Sequence, residues 1–129
     1  MTAIRKGLAC TLRELAGLTD PVERHFSLQA MVAETYRLRS DHPEMRTVCK
    51  GVALQHLAEF KTIAEALRAK LGSVPMVRAF RLLATLLAED LCFDGAIRVC
   101  EPAISFGVRD EFAMGFEGRI AGPGGADEP

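Results

Sequence analysis

The chain has 129 residues, 49% of them hydrophobic and 6% aromatic, and its 16 basic and 17 acidic residues leave a formal charge of −1. This length suits one domain with an ordinary core, and the apolar fraction excludes disorder throughout the chain. The near-neutral charge argues against a protein that binds nucleic acid by neutralising many phosphates, and against a polybasic membrane-surface protein. We therefore predict no nucleic-acid partner and no membrane partner.

Apolar residues recur every three or four positions along most of the chain, which predicts an all-α protein. The first predicted helix covers 2–16 and the second covers 21–39, where Asp20 can cap the N-terminus and Pro21 suits the first turn. The second helix carries two apolar rows on different sides, so we expect it to pack against more than one neighbour. These rows are Phe26, Ala30 and Ala33, and Leu28, Val32 and Tyr36.

The segment 44–71 contains an apolar stripe that no proline interrupts. It is either one long helix or two helices that break near Lys61 and Thr62, where Thr62 could cap the continuation. Gly72 is well suited to end the segment.

Two further helices are predicted over 76–89 and 95–106, separated by a tight turn in which Asp94 is the expected cap. Pro102 lies inside the last helix, and we expect it to bend or weaken that helix because it removes one backbone hydrogen bond. We predict a single helical domain over 1–120 and a disordered tail over 121–129, where glycine and proline dominate.

The four cysteines indicate a reducing compartment, since none forms a CxxC pair and their density is low for a disulfide-stapled domain. They are Cys10, Cys49, Cys92 and Cys100. Each has apolar neighbours, so we expect buried free thiols that act as small core residues. No segment approaches the ~20 apolar residues needed to cross a bilayer. We therefore expect a cytoplasmic protein.

The last two predicted helices carry an ordered series of large and small residues. The series is Phe80, Leu83, Ala84 and Leu87 on one helix, and Ala96, Cys100 and Ala103 on the next. With the turn Phe93-Asp94-Gly95, it resembles a tetratricopeptide repeat, in which small residues let paired helices approach closely. The sequence departs from that family at Leu87, Cys100 and Val108, where tyrosine, an aromatic residue and proline are usual.

A weaker copy of this series lies 51 residues earlier. It consists of Val32, Ala33, Tyr36, Cys49 and Val52. The spacing exceeds the family period of ~34 residues, which fits a lengthened second helix in the first unit. Residues 115–120 also resemble the tail that follows such repeats in small bacterial proteins. The resemblance implies about five helices arranged as antiparallel hairpins.

Catalytic and metal-binding motifs are lacking in the sequence, which has no GxSxG, no HExxH and no glycine-rich phosphate loop. His42, Cys49 and His56 lie seven residues apart on one helix face. That spacing rises ~10.5 Å between successive residues, too far for ligands of one ion. We predict no catalytic residue, no metal and no cofactor, and we interpret His56 as a hydrogen-bonded residue at the border of the core. A cysteine-dependent enzyme, with a Cys–His pair joined only by the fold, stays a third hypothesis.

The resemblance implies a non-catalytic protein-protein interaction module that binds a protein or peptide partner in a groove lined by the first helix of each unit. The groove candidates carried over by motif are Arg78, Arg81, Thr85 and Glu89, with Glu34 and Arg37 in the weaker unit. The chain has no asparagine, so we predict against the carboxylate-clamp subset of the family. The alternative is a small inhibitor or immunity-type protein that blocks a macromolecular target. Because two units fall short of the three usually needed for stability, another helix or a second copy, as a homodimer, must cover an apolar face.

Overall fold

The computed structural model describes residues 2–74 and 77–106, with side chains described from Cys10 onward. Within these ranges the chain forms helices and no strand, which confirms the all-α prediction. The helices are α1 (Thr2–Gly17), α2 (Pro21–Leu38), α3 (Glu44–Ala58), α4 (Phe60–Leu71), α5 (Arg78–Glu89) and α6 (Phe93–Ser105). None of these helices combines the length and apolar character needed to cross a membrane. The predicted disordered tail at 121–129 lies outside the described residues, as do Val108 and residues 115–120.

The predicted start of α2 is confirmed, whereas the predicted cap of α6 is wrong. The Asp20 carboxylate accepts a hydrogen bond from the backbone N–H of Glu23 at 3.0 Å, and Pro21 occupies the first turn. By contrast, α6 begins at Phe93, so Asp94 lies inside its first turn and no side chain caps it. The turn before α6 closes through its own backbone, because the Cys92 N–H donates to the Leu87 carbonyl at 2.8 Å.

The helical segment predicted over 44–71 is interrupted at Glu59, so the described chain has six helices instead of about five. The break comes just before the predicted position at Lys61 and Thr62, and Thr62 is an exposed residue inside α4 with no capping role. The apolar stripe is buried on both sides of the break, at His56 in α3 and at Phe60 in α4.

A single guanidinium group joins this break to the first two helices. Arg24 of α2 makes two hydrogen bonds of 2.7 Å to the two carboxylate oxygens of Glu59. Its Nη1 donates to the carbonyl oxygens of Leu15 at 2.7 Å and Leu18 at 2.9 Å, where α1 ends. Gln55 also donates to the Glu59 carboxylate. Arg24 thus fixes the α1–α2 connection and the α3–α4 break relative to each other.

Side-chain contacts define the directions of the central helices. Cys49 of α3 contacts the Val32 carbonyl of α2 at 3.6 Å, and the two helices are antiparallel because His25 near the start of α2 meets His56 near the end of α3. Arg46 at the start of α3 donates to the Leu86 carbonyl near the end of α5 at 3.0 Å, so α3 and α5 are also antiparallel.

It follows that α2 and α5 run parallel to each other. They are in direct contact, since the Gln29 side-chain oxygen accepts a hydrogen bond from the backbone N–H of Arg78 at 2.9 Å. α6 packs against α5, α4 packs mainly against α2, and α1 packs chiefly against α2.

Phenylalanine rings form the centre of the core, although the chain is poor in aromatic residues. Phe60 is fully buried and makes edge-to-face contacts with Phe80 and Phe106, with ring centroids 5.2 and 5.1 Å apart. Such contacts stabilise a core beyond their buried area. Phe60 is the first residue of α4, so the break at Glu59 brings it into position between α5 and the end of α6.

The prediction that all cysteines are buried is correct for two of them. Cys49 of α3 and Cys100 of α6 are buried, whereas Cys10 and Cys92 are exposed. Cys92 belongs to the turn between α5 and α6, and Cys10 lies on α1, whose main packing partner is α2 alone. Apolar neighbours in sequence therefore do not ensure burial at turns or on a sparsely packed helix.

The two apolar rows of α2 also have different environments. Leu28 and Val32 are fully buried, as predicted. In the other row Phe26 is 51% exposed and Ala30 is exposed, so the described part of the chain provides no second neighbour that covers it. The prediction that α2 packs against more than one neighbour is confirmed, since α2 contacts α3, α4 and α5, but Phe26 and Ala30 do not take part in this packing.

Two glycines should respond in opposite directions to alanine substitution. Gly72 ends α4 in the left-handed conformation, with φ of 84°, so Gly72→Ala should destabilise the protein by about 1 kcal/mol. Gly51 lies in the exposed interior of α3, where an added Cβ has no heavy atom within 4 Å, so Gly51→Ala should stabilise it by about 0.5 to 1 kcal/mol. Urea unfolding of the two variants measures both effects, and equal shifts in the same direction would contradict this assignment.

Candidate functional site

The groove candidates on α5 follow one another along the helix but differ in accessibility. Arg78 and Glu89 are exposed, whereas Arg81 and Thr85 are half-buried. The Thr85 hydroxyl donates to the Arg81 carbonyl at 2.9 Å, within α5. Glu89 accepts a hydrogen bond from Arg46 at 2.9 Å and is therefore already engaged with α3. Arg78 is thus the exposed candidate on α5 whose side chain is not engaged with α3.

The two candidates on α2 form a local ion pair. Arg37 Nη2 lies 2.5 Å from Glu34 Oε2, with 67% and 57% of the two side chains exposed. The hydrogen bond from Arg37 lowers the pKa of Glu34 below its ordinary value. Because the pair is exposed, we expect it to contribute little to stability and to be available to a partner.

The structure brings α2 and α5 into contact, so the predicted residues lie on two neighbouring helices. Gln29, which the sequence analysis did not single out, joins the two helices through the Arg78 N–H. α3 packs against the buried sides of both α2 and α5, and their exposed residues face away from it. We call this the α2–α5 surface. It comprises Glu34, Arg37, Arg78, Arg81 and Thr85.

Glu89 lies at the edge of this surface in a separate charged cluster. Arg46 bridges Glu89 and Asp90 at 2.9 and 2.7 Å, and Lys50 also donates to Asp90. Hydrogen bonds from Lys50 and Arg46 lower the pKa of Asp90. The cluster clamps the start of α3 to the end of α5. We therefore assign Glu89 a structural contact in the folded chain in addition to its predicted role.

A pair of buried histidines is the strongest chemical feature that the sequence analysis missed. His25 Nδ1 and His56 Nε2 lie 2.9 Å apart, and neither residue has exposed surface. The outer nitrogens, His25 Nε2 and His56 Nδ1, have no hydrogen-bond partner. One ring donates an N–H hydrogen bond to the other, so the pair in its neutral form retains one unsatisfied donor and one unsatisfied acceptor.

The surroundings of this pair favour the neutral form of both rings. Burial, followed by the repulsion of a charge on His25, lowers the pKa of His56 to about 3, against a smaller opposing effect of Glu59. Burial also lowers the pKa of His25. The Phe26 and Phe60 rings pack against the pair, with Phe26 4.9 Å from His25. The pair was expected neither as a unit nor as fully buried, since His56 was placed at the border of the core.

Neither the buried histidines nor the Cys49 thiol is placed as acid-base or nucleophilic catalysis requires. A general base must reach its substrate, but both histidines are enclosed by the fold. Burial raises the pKa of the Cys49 thiol, and a protonated thiol is a poor nucleophile. In the part of the chain that the structure describes, no three His, Cys, Asp or Glu residues are grouped as metal ligands would be.

Comparison with known proteins identifies no relative of this chain that could indicate what the α2–α5 surface binds. No protein-family model matches the chain, and it has no match among curated proteins or solved structures. Its functional interpretation therefore depends on the residues and contacts described above.

Proposed function

We propose that this protein is a non-catalytic protein-protein interaction module of tetratricopeptide-like type, whose α2–α5 surface binds a protein or peptide partner. The observation that carries the proposal is the parallel, adjacent arrangement of α2 and α5, linked by the Gln29–Arg78 hydrogen bond. The antiparallel α2–α3 pair and the contact between α5 and α6 support it, because helical-hairpin repeats bind partners along surfaces built from equivalent helices.

The charge of this surface favours an acidic partner segment. Arg37, Arg78 and Arg81 outnumber Glu34, and Glu34 is already paired with Arg37. Arg78 is exposed at the first turn of α5 and forms no ion pair with any residue that the structure describes. Arginine binds carboxylates in a bidentate geometry, so the preferred partner presents aspartate or glutamate side chains. The four free thiols support a cytoplasmic location for this interaction.

The test measures binding of fluorescein-labelled acidic peptides, each with two carboxylates and one large apolar residue, by fluorescence anisotropy. We expect Arg78→Glu to weaken binding about tenfold or more, since a charge-assisted hydrogen bond is lost and replaced by repulsion. Arg98→Glu, at an exposed arginine on α6, is the matched control and should leave the affinity unchanged.

Two results would contradict this proposal in different ways. Equal losses for the Arg78 and Arg98 variants would mean that only net charge matters. If no peptide binds but a whole protein from the source cell does, and Arg78→Glu changes its affinity less than twofold, the inhibitor or immunity-type alternative would be favoured.

A further inference from the structure

One side of α2 remains uncovered by the described parts of the chain. Five residues at helical spacing are exposed on it: Glu23, Phe26, Ala30, Glu34 and Arg37. We call this set the α2 stripe. Phe26 is 51% exposed although it is large and apolar. The two ends of the α2 stripe carry opposite charges, Glu23 near the start of α2 and Arg37 near its end.

The α2 stripe has an internal symmetry that makes it complementary to itself. Glu23 and Arg37 lie seven residues on either side of Ala30, and Phe26 and Glu34 lie four residues on either side. If two α2 helices pair in antiparallel orientation about Ala30, Glu23 of each copy comes opposite Arg37 of the other. Two opposite-charge pairs form at the ends of the contact, with small alanines at its centre.

We infer that a second copy of this chain covers the α2 stripe, in an antiparallel homodimer whose two-fold axis passes beside Ala30. A two-fold interface requires the same patch to serve as both partners, and the stripe meets this requirement in charge. The small Ala30 allows the helices to approach closely. Phe26 packs over Ala30 and the aliphatic part of Glu34 of the other copy. Arg37 stays bonded to Glu34 of its own chain and gains a second carboxylate.

This inference does not rest on the proposed function: the two surfaces share Glu34 and Arg37, whereas Arg78, the residue tested for partner binding, lies outside the α2 stripe. The contact of one helix with its copy buries less than the ~1,200 Å² of a standard interface, so the dimer is weak and depends on concentration. Its test measures self-association alone and needs no partner.

The decisive experiment uses charge reversal and mixing, followed by sedimentation equilibrium of the full chain. Glu23→Arg places two arginine pairs across the axis, and Arg37→Glu places two glutamate pairs there. Each variant alone should dimerise about tenfold more weakly than the native chain. A mixture of the two variants should dimerise about as well as the native chain, because every pair across the axis is again of opposite charge. Glu101→Arg, at an exposed site on α6, should change nothing.

A second measurement locates the axis directly. Ala30→Cys, in a chain that also carries Cys10→Ser and Cys92→Ser, should form a disulfide-linked dimer under mild oxidation, whereas Gly51→Cys on exposed α3 should not. A native chain that stays monomeric at millimolar concentration, or a mixture no more dimeric than its separate components, would overturn the inference. Circular dichroism of each variant verifies that the helices are retained.

Discussion

Lowering the pH from 7 to 5 should reduce the free energy of unfolding by about 2 kcal/mol through His56 alone, and by more when His25 contributes. The folded-state pKa of His56 lies at about 3, well below the ordinary histidine value of 6.5. Folding lowers the pKa of this histidine, so above the unfolded pKa of 6.5 both states are neutral and stability is at its maximum. As the pH falls below 6.5 toward the folded pKa, the unfolded state binds a proton that the folded state does not, and stability is lost. The physical cause is burial, followed by the repulsion of a charge on His25; an N–H formed on either outer nitrogen would also have no hydrogen-bond acceptor.

The measurement is urea unfolding at intervals between pH 7 and pH 5, a range above the ordinary carboxylate pKa values. His25→Gln/His56→Gln, which retains polar side chains of similar size, should show a much flatter pH dependence. His42→Gln, at the remaining histidine outside the pair, is the matched control and should follow the native curve. A direct check, which needs no variant, is NMR titration of the native protein. If His25 and His56 titrate near their ordinary pKa while the protein stays folded, the prediction is contradicted.

The helical class, most helix bounds and the core stripes could be predicted from the sequence because helical periodicity is a local property. The histidine pair was accessible in principle. His25 lies seven residues before Val32 and His56 seven residues after Cys49, so the hairpin that joins Val32 to Cys49 also joins the two histidines. It was missed because His25 was not assigned to the buried row that contains Leu28 and Val32.

The break at Glu59 could be predicted from its own neighbourhood only as one of two alternatives, and two or three residues away from its actual position. No glycine or proline lies between Val52 and Leu71, and the apolar stripe continues in phase. The break depends on Arg24, which is 35 residues away, and on the core contacts of Phe60. Tertiary contacts of this kind override a local pattern.

The interactions around the α2–α5 surface could be predicted only in part, because they too join residues that are distant in sequence. Arg78, Arg81 and Thr85 were carried over by motif from the repeat resemblance, and their spacing places them on one face of α5. The engagement of Glu89 by Arg46 was not foreseen, because Arg46 lies 43 residues away on α3. Gln29 was overlooked since a glutamine that accepts a backbone hydrogen bond has no distinctive sequence pattern.

Replacing Arg24 by alanine should destabilise the protein by about 2 to 3 kcal/mol, more than any other single charge change described above. The change removes a bidentate pair with Glu59 and two hydrogen bonds to the end of α1 at Leu15 and Leu18. About one fifth of each paired side chain is exposed, 19% for Arg24 and 22% for Glu59, so solvent screens part of the interaction. The loss should therefore be smaller than the roughly 3 to 5 kcal/mol of a fully buried pair.

The contribution of the guanidinium geometry to stability can be separated from that of the positive charge with Arg24→Lys. Lysine keeps the charge but cannot bind both Glu59 oxygens and two carbonyls at once, so it should recover about half of the loss. Arg37→Ala is the matched control, because its pair with Glu34 is largely exposed; it should cost less than about 0.5 kcal/mol. Urea unfolding measures all three variants. Full recovery by lysine, or equal losses for the Arg24 and Arg37 alanine variants, would show that the guanidinium does not hold the α1–α2 connection and the α3–α4 break together.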